Sequence, residues 1–338
     1  MKITNNMIHP ELRTIGRLIR TVLPFFKASS FNSIGKLMSF AFKGRTSKKM
    51  RCEQIFIPRK NEVEDKLRLC VYSPLKQNES SVGILWLHGG GYGLGLPEQD
   101  EAFIRSFVLQ FNCVVIAPDY QLSTKAPYPA ALEDCYSALL WMKQNAETYG
   151  IRVNQLMVGG DSAGGGLATA LTIYARDKKE VSIAYQMPLY PMLDDRMITK
   201  SSQNNDAPVW NTKSNEIAWQ LYLGPLYKSE NIPAYASPSR LTNYKNLPPS
   251  FTFVGSIDPF CDETIAYMEQ LKLAGVPVNY KIFEGCFHGF DMIVSNSTPA
   301  KEAKKLLLEN LSYAIDNYFA EQPENSMYEK PHPKQDSN

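Results

Sequence analysis

The chain has 338 residues, 44% of them hydrophobic and 21% charged, which is the make-up of an ordinary globular protein and excludes collagen-like and wholly disordered readings. Its 36 basic and 34 acidic residues leave a formal net charge of +2, with no long basic block to attract nucleic acid, so a small-molecule ligand is expected. The length suits one large α/β domain or two smaller ones.

Residues 1–48 read as a helical, basic segment that precedes any strand. Its apolar stretch "TIGRLIRTVLPFFK" is interrupted by Arg17 and Arg20, so it lacks the continuous core of a signal peptide, and no run approaches the length of a membrane span. A cytoplasmic location without stable membrane insertion is the expectation. A mixed basic and apolar helix can also lie on a membrane surface; packing on the protein's own body is preferred here. Six cysteines (Cys52, Cys70, Cys113, Cys135, Cys261 and Cys286) lack paired or metal-finger spacing and read as reduced, mostly buried thiols.

From Cys52 onward, short β-branched or aromatic runs alternate with helical patterns, which predicts a mostly parallel sheet with helices on both faces. The strand candidates are "EQIFI", "LRLCVYS", "VGILWLH", "CVVIAPD", "QLMVGG", "IAYQMPLY", "SFTFVGS" and "VNYKIFE". The best-formed helical patterns cover 130–149, 163–176, 261–274 and 299–318. Residues 195–235 are too long for a tight connection and carry Trp210, Trp219, Tyr222 and Tyr227. They are expected to be partly helical and to form, with residues 1–48, a cap over the carboxyl edge of the sheet in a domain spanning 49–320. The polar, proline-bearing residues 321–338 are expected to be disordered.

The most informative stretch is "VGGDSAGGGLA", in which a strand, a tight turn at Asp161-Ser162 and a helix follow one another. Gly160 and Gly164 fit G-x-S-x-G, the spacing of a nucleophile elbow that holds the serine hydroxyl clear of the sheet. Neither a phosphate loop nor a dinucleotide fingerprint fits the register of these glycines. Helix packing alone remains an alternative for this motif taken by itself. A serine also needs a base. Of the four histidines, His9 precedes the sheet, His332 lies in the polar tail and His88 opens a glycine run, which leaves His288, just after the last strand. Asp258 follows the strand "SFTFVGS" and is the preferred orienting acid; Asp262 and Glu263 fall in the first turn of the next helix, where acids commonly serve the helix dipole. "HGGGYG" follows another strand, and the backbone N–H groups of Gly90 and Gly91, with that of Ala163, are the candidate oxyanion donors. Asp161 has no assigned role.

"HGGG", "GDSAGG", "DPFCDE" and "HGF" in this order, with "PDYQLSTKAPYPAALEDCYSAL", resemble the hormone-sensitive-lipase-like group of α/β-hydrolase esterases from about Cys70 to Phe290. The resemblance implies an α/β-hydrolase fold with a helical cap. It also implies a triad of Ser162, Asp258 and His288, an oxyanion hole at Gly90, Gly91 and Ala163, and hydrolysis of short- to medium-chain acyl esters through an acyl-serine, with neither a metal nor an organic cofactor. Gln121 departs from the arginine usual in that group. A longer-chain lipase and a non-catalytic receptor of the same fold are the alternatives, and a homodimer is left open.

Overall fold

The computed structural model describes residues 1–22, 28–60, 62–76 and 80–323. The uninterrupted apolar runs become strands that are buried along their whole length: β3 (Ser81–Leu87), β4 (Val114–Pro118), β6 (Tyr185–Leu189) and β7 (Ser250–Gly255). Such runs mark strands covered by helices on both faces. β1 (Met50–Arg59) and β8 (Val278–Phe283) interleave exposed positions and form the two edges, and β2 (Glu62–Pro74) and β5 (Ile151–Asp161) complete the order β1-β2-β4-β3-β5-β6-β7-β8. The β1–β2 and β2–β4 pairs are antiparallel, and every pair from β4 to β8 is parallel. The sheet is therefore mostly parallel, as the alternation predicts.

The helices are α1 (Arg13–Val22), α2 (Ala28–Phe42), α3 (Glu101–Phe111), α4 (Ala130–Gln144), α5 (Ala163–Lys178), α6 (Thr212–Leu223), α7 (Cys261–Leu273), α8 (Phe290–Ile293) and α9 (Thr298–Asn317). One side of the sheet is covered by α4 and α5, through Leu139, Met142, Leu167 and Leu171 against Leu85 and Val158. The other side is covered by α3 and α9, through Phe103, Phe107, Leu307 and Leu311 against Ile84 and Val115. The expected helix over 130–149 stops at Gln144, where Asn145 leaves the helical backbone conformation (φ −104°, ψ 11°) and caps it.

The strand order decides where chemistry collects. β3, β5, β7 and β8 run in the same direction, so the loops that follow them open at one carboxyl edge. Residues 195–235 contain α6, whose Trp219 and Tyr222 are buried against Tyr92 of the loop after β3; the Tyr92 and Tyr222 rings stack 3.8 Å apart. At the far end of the chain, Gln322 donates to the carbonyls of Val153 and Ser182 (2.9 Å each), while residues 324–338, most of the expected disordered tail, lie outside the described residues.

Candidate active site

β5 ends at Asp161 and α5 begins at Ala163, leaving Ser162 alone at the apex with φ 55° and ψ −120°. This backbone is unusual for a side-chain-bearing residue and is held from both sides: Ser162 N–H donates to the Leu189 carbonyl (2.9 Å), and its own carbonyl accepts from Gly166 (3.0 Å) and Met192 (3.1 Å). The elbow also needs its small neighbours. A Cβ on Gly164 would overlap the carbonyl oxygens of Leu87 and His88, and one on Gly160 would overlap that of Leu87.

His288 reaches the serine from the loop after β8, its Nε2 2.8 Å from Ser162 Oγ. Its Nδ1 lies 2.7 Å from Asp258 Oδ2 in the loop after β7. Because a carboxylate there can only accept, Nδ1 carries the proton and Nε2 is left to accept from the serine hydroxyl. Asp258 is fully buried, and its second oxygen accepts from Phe260 N–H (2.9 Å), so the carboxylate cannot swing away. The imidazole is walled by Phe260 (ring centroids 5.0 Å apart), Tyr190 (5.1 Å) and Trp210 (6.2 Å).

The loop after β3 brings Gly90 and Gly91 to the same edge. Among the described residues, no acceptor is assigned to the N–H groups of Gly90, Gly91 or Ala163, whereas the Gly90 carbonyl accepts from Gly93 (3.2 Å) and Leu94 (3.1 Å). The loop is braced by His88, whose ring stacks on Tyr120 (4.1 Å, 11° between planes) and whose Nδ1 lies 2.9 Å from the Gly89 carbonyl. Burial pulls His88 down to about 4, so at neutral pH it is an uncharged brace. A hydroxyl facing a base, a fixed carboxylate behind that base and unengaged amides beside the hydroxyl together form an arrangement able to attack a carbonyl and to stabilise the resulting oxyanion.

The two acids read as helix-dipole partners do something more specific. Asp262 accepts from Ser201 N–H (2.8 Å), inside residues 195–235, and Glu263 accepts from Leu193 N–H (2.7 Å) and Asp194 N–H (3.3 Å), just ahead of them, so the two acids tether the start of that segment. Asp161 gains a neighbourhood as well. Its buried carboxyl meets that of Asp100, which accepts from Trp86 Nε1 (2.9 Å), and the buried carboxyl of Asp291 lies close enough to both to repel them. Burial, then the charge of Asp100, raises Asp161 well above the usual carboxylate range, and burial raises Asp100 to about 6. Burial, followed by the charge of Asp161, raises Asp291 to about 7. Sequence patterns miss this acidic cluster because like charges are not expected to share a site. Gln121, the departure noted above, leaves Asp134 to Arg59 of β1, which pairs with it, while the Gln121 backbone N–H donates to the same carboxylate (2.8 Å).

A family model described as alpha/beta hydrolase fold matches residues 84–292. Esterase LipI of Mycobacterium tuberculosis is 33% identical over 208 residues, covering 61% of this chain and 65% of that protein; the chain thus spans less than two thirds of that relative's length. Ethyl acetate hydrolase of Pseudomonas putida is 27% identical over 244 residues, covering 71% of this chain and 76% of that protein. Among solved structures, that of a bacterial heroin esterase superposes with a TM-score of 0.85 at 28% identity, covering 93% of this chain and 99% of the other. The chain belongs to the alpha/beta hydrolase fold family, in its hormone-sensitive-lipase-like group.

Proposed function

We propose that the protein is a serine carboxylesterase acting on short- to medium-chain acyl esters through an acyl-serine intermediate. The observation that carries this reading is the continuous hydrogen-bonded chain from Ser162 Oγ through His288 to Asp258, at 2.8 and 2.7 Å, beside three amides with no assigned acceptor. As Ser162 Oγ bonds to the ester carbonyl carbon, His288 Nε2 takes the hydroxyl proton and Asp258 balances the imidazolium. The amides of Gly90, Gly91 and Ala163 receive the oxyanion. The imidazolium then returns the proton to the departing alkoxide, and a water molecule activated by the same imidazole releases the acid.

Small acyl groups are favoured in this reading because Trp210 and Phe260 stand beside His288, and the Trp210 indole abuts Gly91. The relative named for ethyl acetate, an ester of a two-carbon acid, supports the same preference. Residues 1–48 and 195–235 act as the cap: Gly16 of α1 packs on Phe287 and Pro208, and Phe31 of α2 packs on Gly93. The six unpaired cysteines accord with a cytoplasmic location. The test is hydrolysis of p-nitrophenyl esters from acetate to palmitate by the wild type and by Ser162→Ala. Activity that depends on Ser162 and peaks at or below about ten carbons is expected. Activity surviving in Ser162→Ala would overturn the serine mechanism, and a maximum on palmitate would favour the lipase reading.

A further inference from the structure

The small net charge conceals a strong division. Residues 1–50 contain ten lysines and arginines against the single acid Glu11, so the remaining 288 residues hold 26 basic and 33 acidic side chains. The same short segment is rich in exposed apolar side chains. On α1, Ile15, Leu18 and Val22 recur at helical spacing and point outward; on α2, Leu37 and Phe40 do the same, with 66% and 85% of their surface exposed. Arg17 and Lys36 are exposed on these same helices.

These outward faces are not core faces left uncovered, because each helix has a separate inner face already engaged. Gly16 of α1 lies against Phe287 and Pro208, and Arg20 pairs with Asp206 (3.2 Å). On α2, Phe31 is fully buried against Gly93, and the following Gly44 N–H donates to the buried Glu98 carboxylate (2.8 Å). Each helix is thus fixed to the body on one side and carries apolar and basic side chains on the other. That is the composition of a helix lying in the plane of a charged bilayer surface, where apolar side chains enter the acyl boundary and cations meet lipid phosphates.

We propose that the outward faces of α1 and α2 form a docking surface for an anionic phospholipid bilayer, bound reversibly and without spanning it. Charge selects this occupant. Lys2, Arg20 and Lys43 are paired with Asp206 and Asp119 of the body, but Arg17, Lys36, Arg45, Lys48 and Lys49 stay exposed. A second copy meeting the same face would therefore bring like charges together, whereas an anionic bilayer is complementary. Among the described residues no helix is long and apolar enough to cross a membrane, in keeping with surface attachment. Because α1 touches Phe287, beside His288, and α2 touches the loop after β3, the docked face would border the carboxyl edge that holds Ser162. Attachment itself does not require the esterase reading to hold.

The experiment is co-sedimentation of the full-length protein with phosphatidylcholine vesicles and with vesicles containing about one third phosphatidylglycerol, at low and at high salt. Retention on the anionic vesicles, little on the neutral ones and release by salt are expected. Leu37→Ser with Phe40→Ser, and separately Arg17→Glu with Lys36→Glu, should each weaken retention about tenfold or more with melting temperatures unchanged. The charge-reversal pair keeps the test decisive if the serine pair folds poorly. Equal retention on neutral and anionic vesicles, or none on either, overturns the proposal. So does a wild-type dimer in light scattering that either pair converts to a monomer, since a second copy would then be the occupant.

Discussion

The indole of Trp210 lies directly against Gly91, its Cη2 occupying the space that a Cβ on residue 91 would need. A bulky ring from the segment between β6 and β7 thus abuts one of the candidate oxyanion donors. Replacing it should change which acyl groups fit before it changes the chemistry. Trp210→Ala is expected to move the kcat/KM optimum of a p-nitrophenyl ester series toward longer chains, whereas Gly91→Ala, which collides with the indole, is expected to lower activity on every member. An unchanged profile in Trp210→Ala would remove Trp210 from the acyl-binding wall.

Asp258 and Asp262 are four residues apart and differ in what they hold. Asp258 contacts His288, and Asp262 contacts the Ser201 amide. Asp258→Asn should lower kcat by about a thousandfold or more, because the imidazole loses the partner that fixes its tautomer. Asp262→Asn should cost less than about tenfold and act mainly on thermal stability. Steady-state kinetics on p-nitrophenyl butyrate separates the two, and the reverse pattern would reassign the orienting acid.

The buried acids predict a pH dependence of stability with a defined sign. In the unfolded chain Asp100, Asp161 and Asp291 titrate near 4, while in the fold Asp100 is raised to about 6, Asp291 to about 7 and Asp161 well above the usual range. Between about pH 4 and pH 7 the folded state therefore binds more protons than the unfolded one, so stability falls as pH rises through this window. Asp161→Asn keeps a hydrogen-bonding side chain and removes one titrating group whose ionised form the fold disfavours. It should raise the melting temperature at pH 8 by about 2 °C or more and flatten the slope between pH 5 and pH 8. A lower melting temperature at pH 8 together with an unchanged slope would overturn the assignment of this pH dependence to Asp161.

Two glycine substitutions separate close approach from backbone preference. Gly164→Ala places a methyl group on the carbonyls of Leu87 and His88 and should yield insoluble or unfolded protein. Gly275→Ala meets nothing within 4 Å but sits at φ 81°, so it should cost only about 1 kcal/mol, read as a small shift in the denaturation midpoint. Comparable losses from both would mean that the strand and helix at the elbow can move apart.

The parts of the site that sequence made legible are those with a local chemical signature. Gly160 and Gly164 mark Ser162, a chain with four histidines leaves few candidates for a base, and strand ends point to Asp258 and to the glycines after β3. What escaped was long-range pairing. Asp100 and Asp161 are 61 residues apart and carry the same charge, so no attraction between them could be anticipated. The ties of Asp262 and Glu263 to residues 193–201 were hidden for another reason: a first-turn acid has a sufficient local explanation in the helix dipole, and only the packed chain reveals another donor. The reversed direction of β2 was equally invisible, because an alternation of strands and helices says nothing about a hairpin placed ahead of it.

The pairing of Arg59 with Asp134 sets where the protein can be shortened. Asp134 sits near the start of α4 with almost no exposed surface, and the cation facing it comes from the edge strand β1 rather than from residue 121. Trimming the chain past β1 would thus do more than remove an outer strand: it would leave a carboxylate in the interior without its counter-charge, a loss of about 3–5 kcal/mol when such pairs are broken. A chain that starts after residue 59 is accordingly expected to unfold at lower denaturant than one that keeps β1, although β1 lies well upstream of the chemistry.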